Sequence, residues 1–324
     1  MMTPAMPAYT MHQEDYVIDG LQTPESLFSF NMTADGAWTA CFGHRDRYAI
    51  DSRSRTARKI ADSSESVVMK MLTKDSVQVV FPWESKPVVY INGIKTGSLL
   101  HTIKSIRGSD GCPFTGRFVG GNDTGVYYLS ATNLVYCTWA SLSKSKFSAC
   151  SILQKDVIDF DLTSNSNACI TTRNTLTKNG VDMSDIKSKA CHRDLTTIGI
   201  VGSHVVCVAT MTDDESVILA YDMKGVFESS AIIQVMKGKN DGNVGICYIR
   251  PAGVTHDHAV FIAVERRRYV HLLDIDLDGK LSVRSRVEIL SSDQYPIYSV
   301  TAYNDAGQFI VGGYKWIKKI SVNM

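Results

Sequence analysis

Seven times along this chain a short apolar strand is followed by a turn and two or three further strands, beginning near Leu27, Ser66, Gly116, Val157, Thr196, Val244 and Pro296. Successive starts lie 39, 50, 41, 39, 48 and 52 residues apart. A unit of this size cannot bury both its faces alone, so neighbouring units must cover one another. Four short strands in ~40–50 residues are what one blade of a radial array requires, and the sequence therefore predicts an all-β, seven-bladed β-propeller. A pair of β-sandwiches is the competing all-β reading.

The repeat holds at the level of residues. The first unit reads Leu27-Phe28-Ser29-Phe30-Asn31, turns at Ala34-Asp35-Gly36, and continues through Trp38 to Phe42, Tyr48 to Asp51 and Thr56 to Ile60. The last repeats that order, with Tyr298 to Tyr303, a turn at Asn304-Asp305-Ala306-Gly307, Gln308 to Gly312 and Trp316 to Val322. These runs are rich in Val, Ile, Phe and Tyr and are bounded by Gly, Asn, Asp and Ser, the punctuation of strands and tight turns. Only three strands follow Pro296. The segment 15–20, Asp15-Tyr16-Val17-Ile18-Asp19-Gly20, is expected to supply the missing strand of the last blade, closing the ring and removing its open edges. The whole chain, 1–324, then reads as a single domain.

Three third strands carry a more specific signature. Val217-Ile218-Leu219-Ala220-Tyr221-Asp222 is an apolar run ending in an aromatic-Asp pair, and Tyr48-Ala49-Ile50-Asp51 and Val270-His271-Leu272-Leu273-Asp274 follow it more loosely. In this the chain resembles the WD-repeat propeller family. There is no Trp-Asp dipeptide, and the single Gly-His pair, Gly43-His44, follows a second strand rather than preceding a first one. The resemblance implies a rigid, non-catalytic scaffold or adaptor, a subunit of a multi-protein complex that docks partners on one loop face.

Composition narrows the classes. Hydrophobic residues make up 44% of the chain and charged residues 21%, with a formal net charge of +1, so there is core enough for a large domain and no global pull toward polyanions. No run of eighteen apolar residues occurs to cross a membrane as a helix, and the start lacks a basic and apolar leader. Cytoplasm or nucleus is the expected location. The eight cysteines are scattered and lack the close pairs of zinc or redox motifs, so free buried thiols are expected.

Catalytic and metal chemistry is sparsely represented. Asp274, Asp276 and Asp278 precede Gly279 like the opening of a calcium loop, but the closing carboxylate position is Ser285, and Asp278-Gly279 suits a hairpin turn. His256-Asp257-His258 is read as a solvated turn. Ser141-Leu142-Ser143-Lys144 and Ser184-Asp185-Ile186-Lys187 have a nucleophile-base spacing, yet both lie in polar loops. No enzyme, metal site or cofactor is expected.

Charge gains meaning once the fold supplies geometry. Connections between second and third strands share one face of a propeller, and in blades six, seven and one they carry Arg266, Arg267 and Arg268, then Lys315, then Arg45 and Arg47. A closed ring makes those blades neighbours, forming a basic sector whose own loops hold the acids Glu265 and Asp46, while Glu25, Asp62, Glu65, Asp241 and Asp293 lie in neighbouring connections on the same face. Read functionally, this sector is the partner-binding site for an acidic or phosphorylated protein, with nucleic acid or anionic lipid as the alternative; the competing reading is a solvated rim of mutually paired charges. Two polar excursions, 104–115 and 174–195, are expected to project from the ring.

Overall fold

The computed structural model describes residues 9–17, 27–32, 37–42, 46–51, 55–62, 67–71, 77–82, 88–93, 99–104, 114–122, 125–130, 132–138, 150–162, 167–171, 175–179, 181–183, 195–212, 215–234, 246–254, 257–265, 269–289, 297, 299–300, 307–313 and 316–323. Within them the chain is all β. After β1 (Thr10–Asp15), sheet one contains β2 (Leu27–Met32), β3 (Ala37–Phe42), β4 (Asp46–Asp51) and β5 (Thr56–Asp62). Sheet two holds β6 (Val67–Met71), β7 (Val77–Pro82), β8 (Val88–Gly93) and β9 (Leu99–Lys104). Sheet three follows with β10 (Phe114–Asn122), β11 (Gly125–Ser130), β12 (Asn133–Thr138) and β13 (Ser151–Gln154). In sheet four are β14 (Val157–Leu162), β15 (Asn167–Thr171), β16 (Leu176–Lys178) and β17 (Val181–Asp182). Sheet five is β18 (Leu195–Val201), β19 (His204–Thr212), β20 (Glu215–Asp222) and β21 (Phe227–Gln234). Sheet six is β22 (Ile246–Val254), β23 (His258–Glu265), β24 (Tyr269–Asp276) and β25 (Leu281–Glu288). The last combines β26 (Ser299–Val300), β27 (Gln308–Gly313) and β28 (Trp316–Asn323) with β1 on its outer side. Every sheet has four antiparallel strands; in all but the last they form a meander of consecutive strands, and in the last β1 flanks the meander β26-β27-β28.

Burial explains why the sequence reads as apolar runs rather than as alternation. In β19, Val205, Cys207 and Ala209 pack toward sheet four, while Val206 and Val208 pack toward sheet six. β23 divides likewise: Ala259, Phe261 and Ala263 face sheet five, and Val260, Ile262 and Val264 face sheet seven. A strand covered on both faces needs no polar positions. Outer strands lack that cover, and Ile232 on β21 and Val283 on β25 are exposed. Cores thus lie between successive sheets. First strands approach closely as well; a Cβ on Gly199 of β18 would sit 2.7 Å from Ile249 Cγ2 on β22, so glycine is required there.

First strands touch in chain order, β2 on β6, β6 on β10, β10 on β14, β14 on β18 and β18 on β22, and β26 lies against β2. Sheets six and seven meet through β25 and β1 and share one core that includes Tyr9, Met11, Leu272 and Phe309. The N-terminal strand is Thr10–Asp15, not the 15–20 segment expected from sequence. It pairs antiparallel with β28 from Thr10↔Asn323 to Asp15↔Lys318, and Tyr16 N extends the pairing to Ile317 O at 3.0 Å. The shift has a physical reason. Only Met11 of the six strand residues is buried, so Thr-Met-His-Gln-Glu-Asp lacks an apolar signature, whereas Tyr16 looks strand-like because it is buried just beyond the strand. Residues 18–20 lie outside the described residues.

Two further expectations change. Segment 174–195 does not begin as a projecting loop: it contains β16 and β17, with Leu176, Thr177 and Met183 buried, and strands of three and two residues are too short to announce themselves. Residues 184–194 and 105–113 lie outside the described residues. Thiols are not all free either. Tyr136 pairs with Ser151, so antiparallel register sets Cys137 opposite Cys150, and the two form a disulfide. Cys169 and Cys207 are free and buried, and burial pushes both thiols up to about 12.

Candidate interaction surface

Of the six residues that sequence assigns to a basic sector, Arg47 lies on a described strand, β4, with its Cα opposite that of Cys41. Arg45, Arg266, Arg267, Arg268 and Lys315 lie outside the described residues. Described strands flank those positions in the chain. β23 ends and β24 begins on either side of 266–268; Gly313 and Trp316 are opposed across the two-residue connection carrying Lys315; β3 and β4 flank 43–45. The indole of Trp316 lies so close over Gly313 that a Cβ there would come within 2.5 Å of Cε2, so glycine is required at the end of β27.

From sequence Glu265 reads as a surface counter-charge. It is instead fully buried at the end of β23, where its Oε2 lies 3.4 Å from Nε2 of the buried His271. The next strand adds a cation that sequence reasoning missed: the exposed Arg286, opposite His271, lays its guanidinium over the Tyr269 ring, 5.0 Å from the centroid. Tyr269 in turn tilts against His271, with ring centroids 6.2 Å apart. Ser282, Arg284 and Arg286 alternate along β25, which is the available signal, but only the register of β24 on β25 sets Arg286 opposite His271 and within reach of Tyr269, the first residue of β24.

The three aspartates resembling a calcium loop do not act together. Asp274 is wholly buried; its two oxygens each accept from Arg284, at 2.7 Å from Nε and 2.7 Å from Nη2, and His258 Nδ1 lies 2.9 Å from Oδ2. Arg284 reaches Asp274 because it is the extra residue of a bulge, skipped between Leu272↔Ser285 and Leu273↔Val283. The fork with Asp274 holds the guanidinium above its ordinary range. His258 is therefore a partly buried strand residue and not part of a solvated turn; His256 lies outside the described residues. Asp276 Oδ1 accepts from the backbone N–H groups of Asp278 and Lys280, closing a hairpin in which Gly279 adopts φ 76°. Asp222 does the same for Lys224 and Val226 in sheet five. Asp278 is exposed at the tip. Among the described residues no group of three or more His, Cys, Asp or Glu is placed to hold a metal ion. Both Ser-x-x-Lys segments lie outside the described residues.

With the Asp274 and Asp276 carboxylates committed to Arg284 and to the turn, millimolar calcium is expected to leave the thermal unfolding midpoint unchanged, since an ion that does not bind the native state cannot stabilise it. Asp276→Ala should destabilise by about 1–2 kcal/mol through loss of the two turn hydrogen bonds. Calorimetry of both proteins with and without calcium checks this. A calcium-dependent rise of several degrees, lost in Asp276→Asn, would contradict it.

Comparison with solved structures places the fold. The WD40 repeats of RRP9 superpose with a TM-score of 0.65 at 12% identity, covering 99% of each chain. The N-terminal domain of Nup159 gives 0.63 at 10% identity over 97% of this chain and 96% of that one. YCF48 bound to D1 peptide gives 0.62 at 8% identity over 99% and 98%. This chain has the fold of the WD-repeat-type β-propellers. No family model matches its sequence, and no curated protein does. Among the described residues no helix is long and apolar enough to cross a membrane.

Proposed function

We propose that the chain is a single closed seven-bladed propeller acting as a non-catalytic scaffold, which docks protein partners on the face formed by the second-to-third strand connections of sheets six, seven and one. The observation that carries this reading is the pairing of β1 with β28, which completes a fourth strand on the last sheet while β26 rests on β2 of the first. Closure makes sheets six, seven and one consecutive. Arg45, Arg47, Arg266, Arg267, Arg268 and Lys315 then fall in one sector, which Arg286 extends. Withdrawal of Glu265 to the interior leaves that sector with less acid than the sequence suggests. Protein docking is also what the peptide-bound state of YCF48 supports by analogy of fold.

Purification from the native source, with co-purifying proteins identified by mass spectrometry, supplies the partner for the test. Replacing Arg45, Arg47, Arg266, Arg267 and Arg268 by Ala should weaken it chiefly through the association rate, with circular dichroism unchanged. Undiminished binding by this five-site variant would move the docking face to sheets two to five. Capture of nucleic acid instead, with the slope of log affinity on log salt flattening by about 0.7–0.9 per lost phosphate contact, would replace the protein-scaffold reading.

A further inference from the structure

The first strand of sheet four carries Asp159 and Asp161, two residues apart and so on one face of β14. That face meets sheet five. Ile198 N donates to Asp159 Oδ2 at 3.2 Å, and Ile200 N donates to Asp161 Oδ2 at 2.7 Å. β18 is the first strand of its sheet, paired with β19 along one edge only, so these carboxyls stand where a further strand would otherwise satisfy its amides. Asp159 Oδ1 also accepts from Phe160 N at 2.9 Å, and Thr197 bonds its carboxyl.

The charged surroundings of Asp159 are sparse. β18 brings no ionisable side chain, and β15 brings only Cys169, whose thiol stays neutral. Arg250 on β22 acts on Asp159 through space, but its Nη1 is engaged by Ile249 O at 2.8 Å. Arg117, on β10, is the charged residue of the strand on the opposite side; its side chain lies outside the described residues. Burial accordingly outweighs the hydrogen bonds and Arg250, and the Asp159 carboxyl is pushed up to about 6.

We infer that Asp159 and Asp161 clamp sheet five to sheet four along the open edge of β18, and that mild acidification weakens the Asp159 contact while the β18–β19 ladder holds. Proton uptake turns a charge-assisted bond to Ile198 N–H into a neutral one. Its sign follows from the direction of the shift. A carboxyl that binds its proton more tightly folded than unfolded contributes stability at low pH and loses it as pH rises through about 6. Acid therefore titrates this contact without working against the fold through this group.

Amide exchange measured by NMR on the full chain at pH 7 and pH 5, corrected for intrinsic exchange, tests the clamp. Local opening that frees the Ile198 N–H while Asp159 stays buried breaks only this bond, so protection of the Ile198 amide should fall about five- to tenfold at pH 5 relative to pH 7, as a charge-assisted bond becomes neutral. Amides of β18 that bond to β19 should not change, and the Asp159 carboxyl carbon should titrate over the same interval. Asp159→Asn should give low Ile198 protection at both pH values. Constant Ile198 protection in the wild type, or a fall shared by the ladder amides, would overturn the inference, and so would an Asp159→Asn protein that keeps the wild-type profile. If that variant does not fold, the wild-type comparison decides alone.

Discussion

Removal of residues 1–16 is expected to lower the apparent melting temperature by ten degrees or more, or to drive the protein into aggregates. The segment contributes a six-residue ladder to β28 and buries Tyr9, Met11 and Tyr16, each less than a tenth exposed. At about 1.5–3 kcal/mol per buried side chain, those three alone are worth roughly 5 kcal/mol or more. Polar contacts reinforce them. Glu14 pairs with Lys319 and lies 3.7 Å from Arg55 of sheet one, Asp15 pairs with Lys318 at 3.3 Å, and Tyr16 is flanked by Arg55 and Lys319. These pairs are half-exposed or more on the acidic side and are worth a few tenths of a kcal/mol each, so burial dominates. Deletion would also bare the edge of β28, an eight-residue strand carrying Ile317, Ile320 and Val322. Scanning calorimetry and size-exclusion chromatography check the expectation. A truncated chain that melts and elutes like the full one would refute the role assigned to β1.

Asp274→Ala should be the most damaging single substitution in sheet six, at about 3–5 kcal/mol, because it leaves a partly buried guanidinium and an imidazole without the carboxylate they share. The cost comes from the stranded partner rather than from the value of the pair itself. Replacing Asp274 and Arg284 together by Leu and Met is accordingly expected to cost less than Asp274→Ala alone. Urea unfolding of the three proteins measures the difference. A loss below 1 kcal/mol for Asp274→Ala, or a double variant less stable than the single one, would contradict this reading of the node.

The all-β fold was legible in the sequence because each four-stranded sheet announces itself several times. First strands begin at Leu27, Val67, Phe114, Val157, Leu195, Ile246 and Ser299, never more than three residues from the repeat starts read from periodicity. Strands covered on both faces, such as β20 and β23, leave apolar runs that no surface strand would carry. Legibility failed where partners are distant in sequence. His258 and Asp274 look like solvated charges until register brings β23 beside β24, and Glu265 looks like a loop acid until His271 folds back on it. Cys137 and Cys150 are thirteen residues apart and meet only because β12 and β13 are antiparallel. Asp276 was readable because its partners are two and four residues on, within the reach of local turn chemistry. The basic sector is the opposite case: its pattern is local in sequence, but its unity depends on closure of the ring, and five of its six residues lie outside the described residues.

Closure is therefore the claim on which the functional reading turns, and one cross-link tests it. Glu14 stands directly opposite Lys319 in the β1–β28 register. With both replaced by Cys, oxidation of dilute monomer should join the two ends of the same molecule, seen as a single linked peptide from residues 14 and 319 after digestion. The product should remain monomeric and melt higher than its reduced form, as expected when a loop of about three hundred residues is closed without strain. A disulfide that forms only between molecules, or fails to form in the folded monomer while forming in urea, would show that the N-terminal strand does not complete the last sheet.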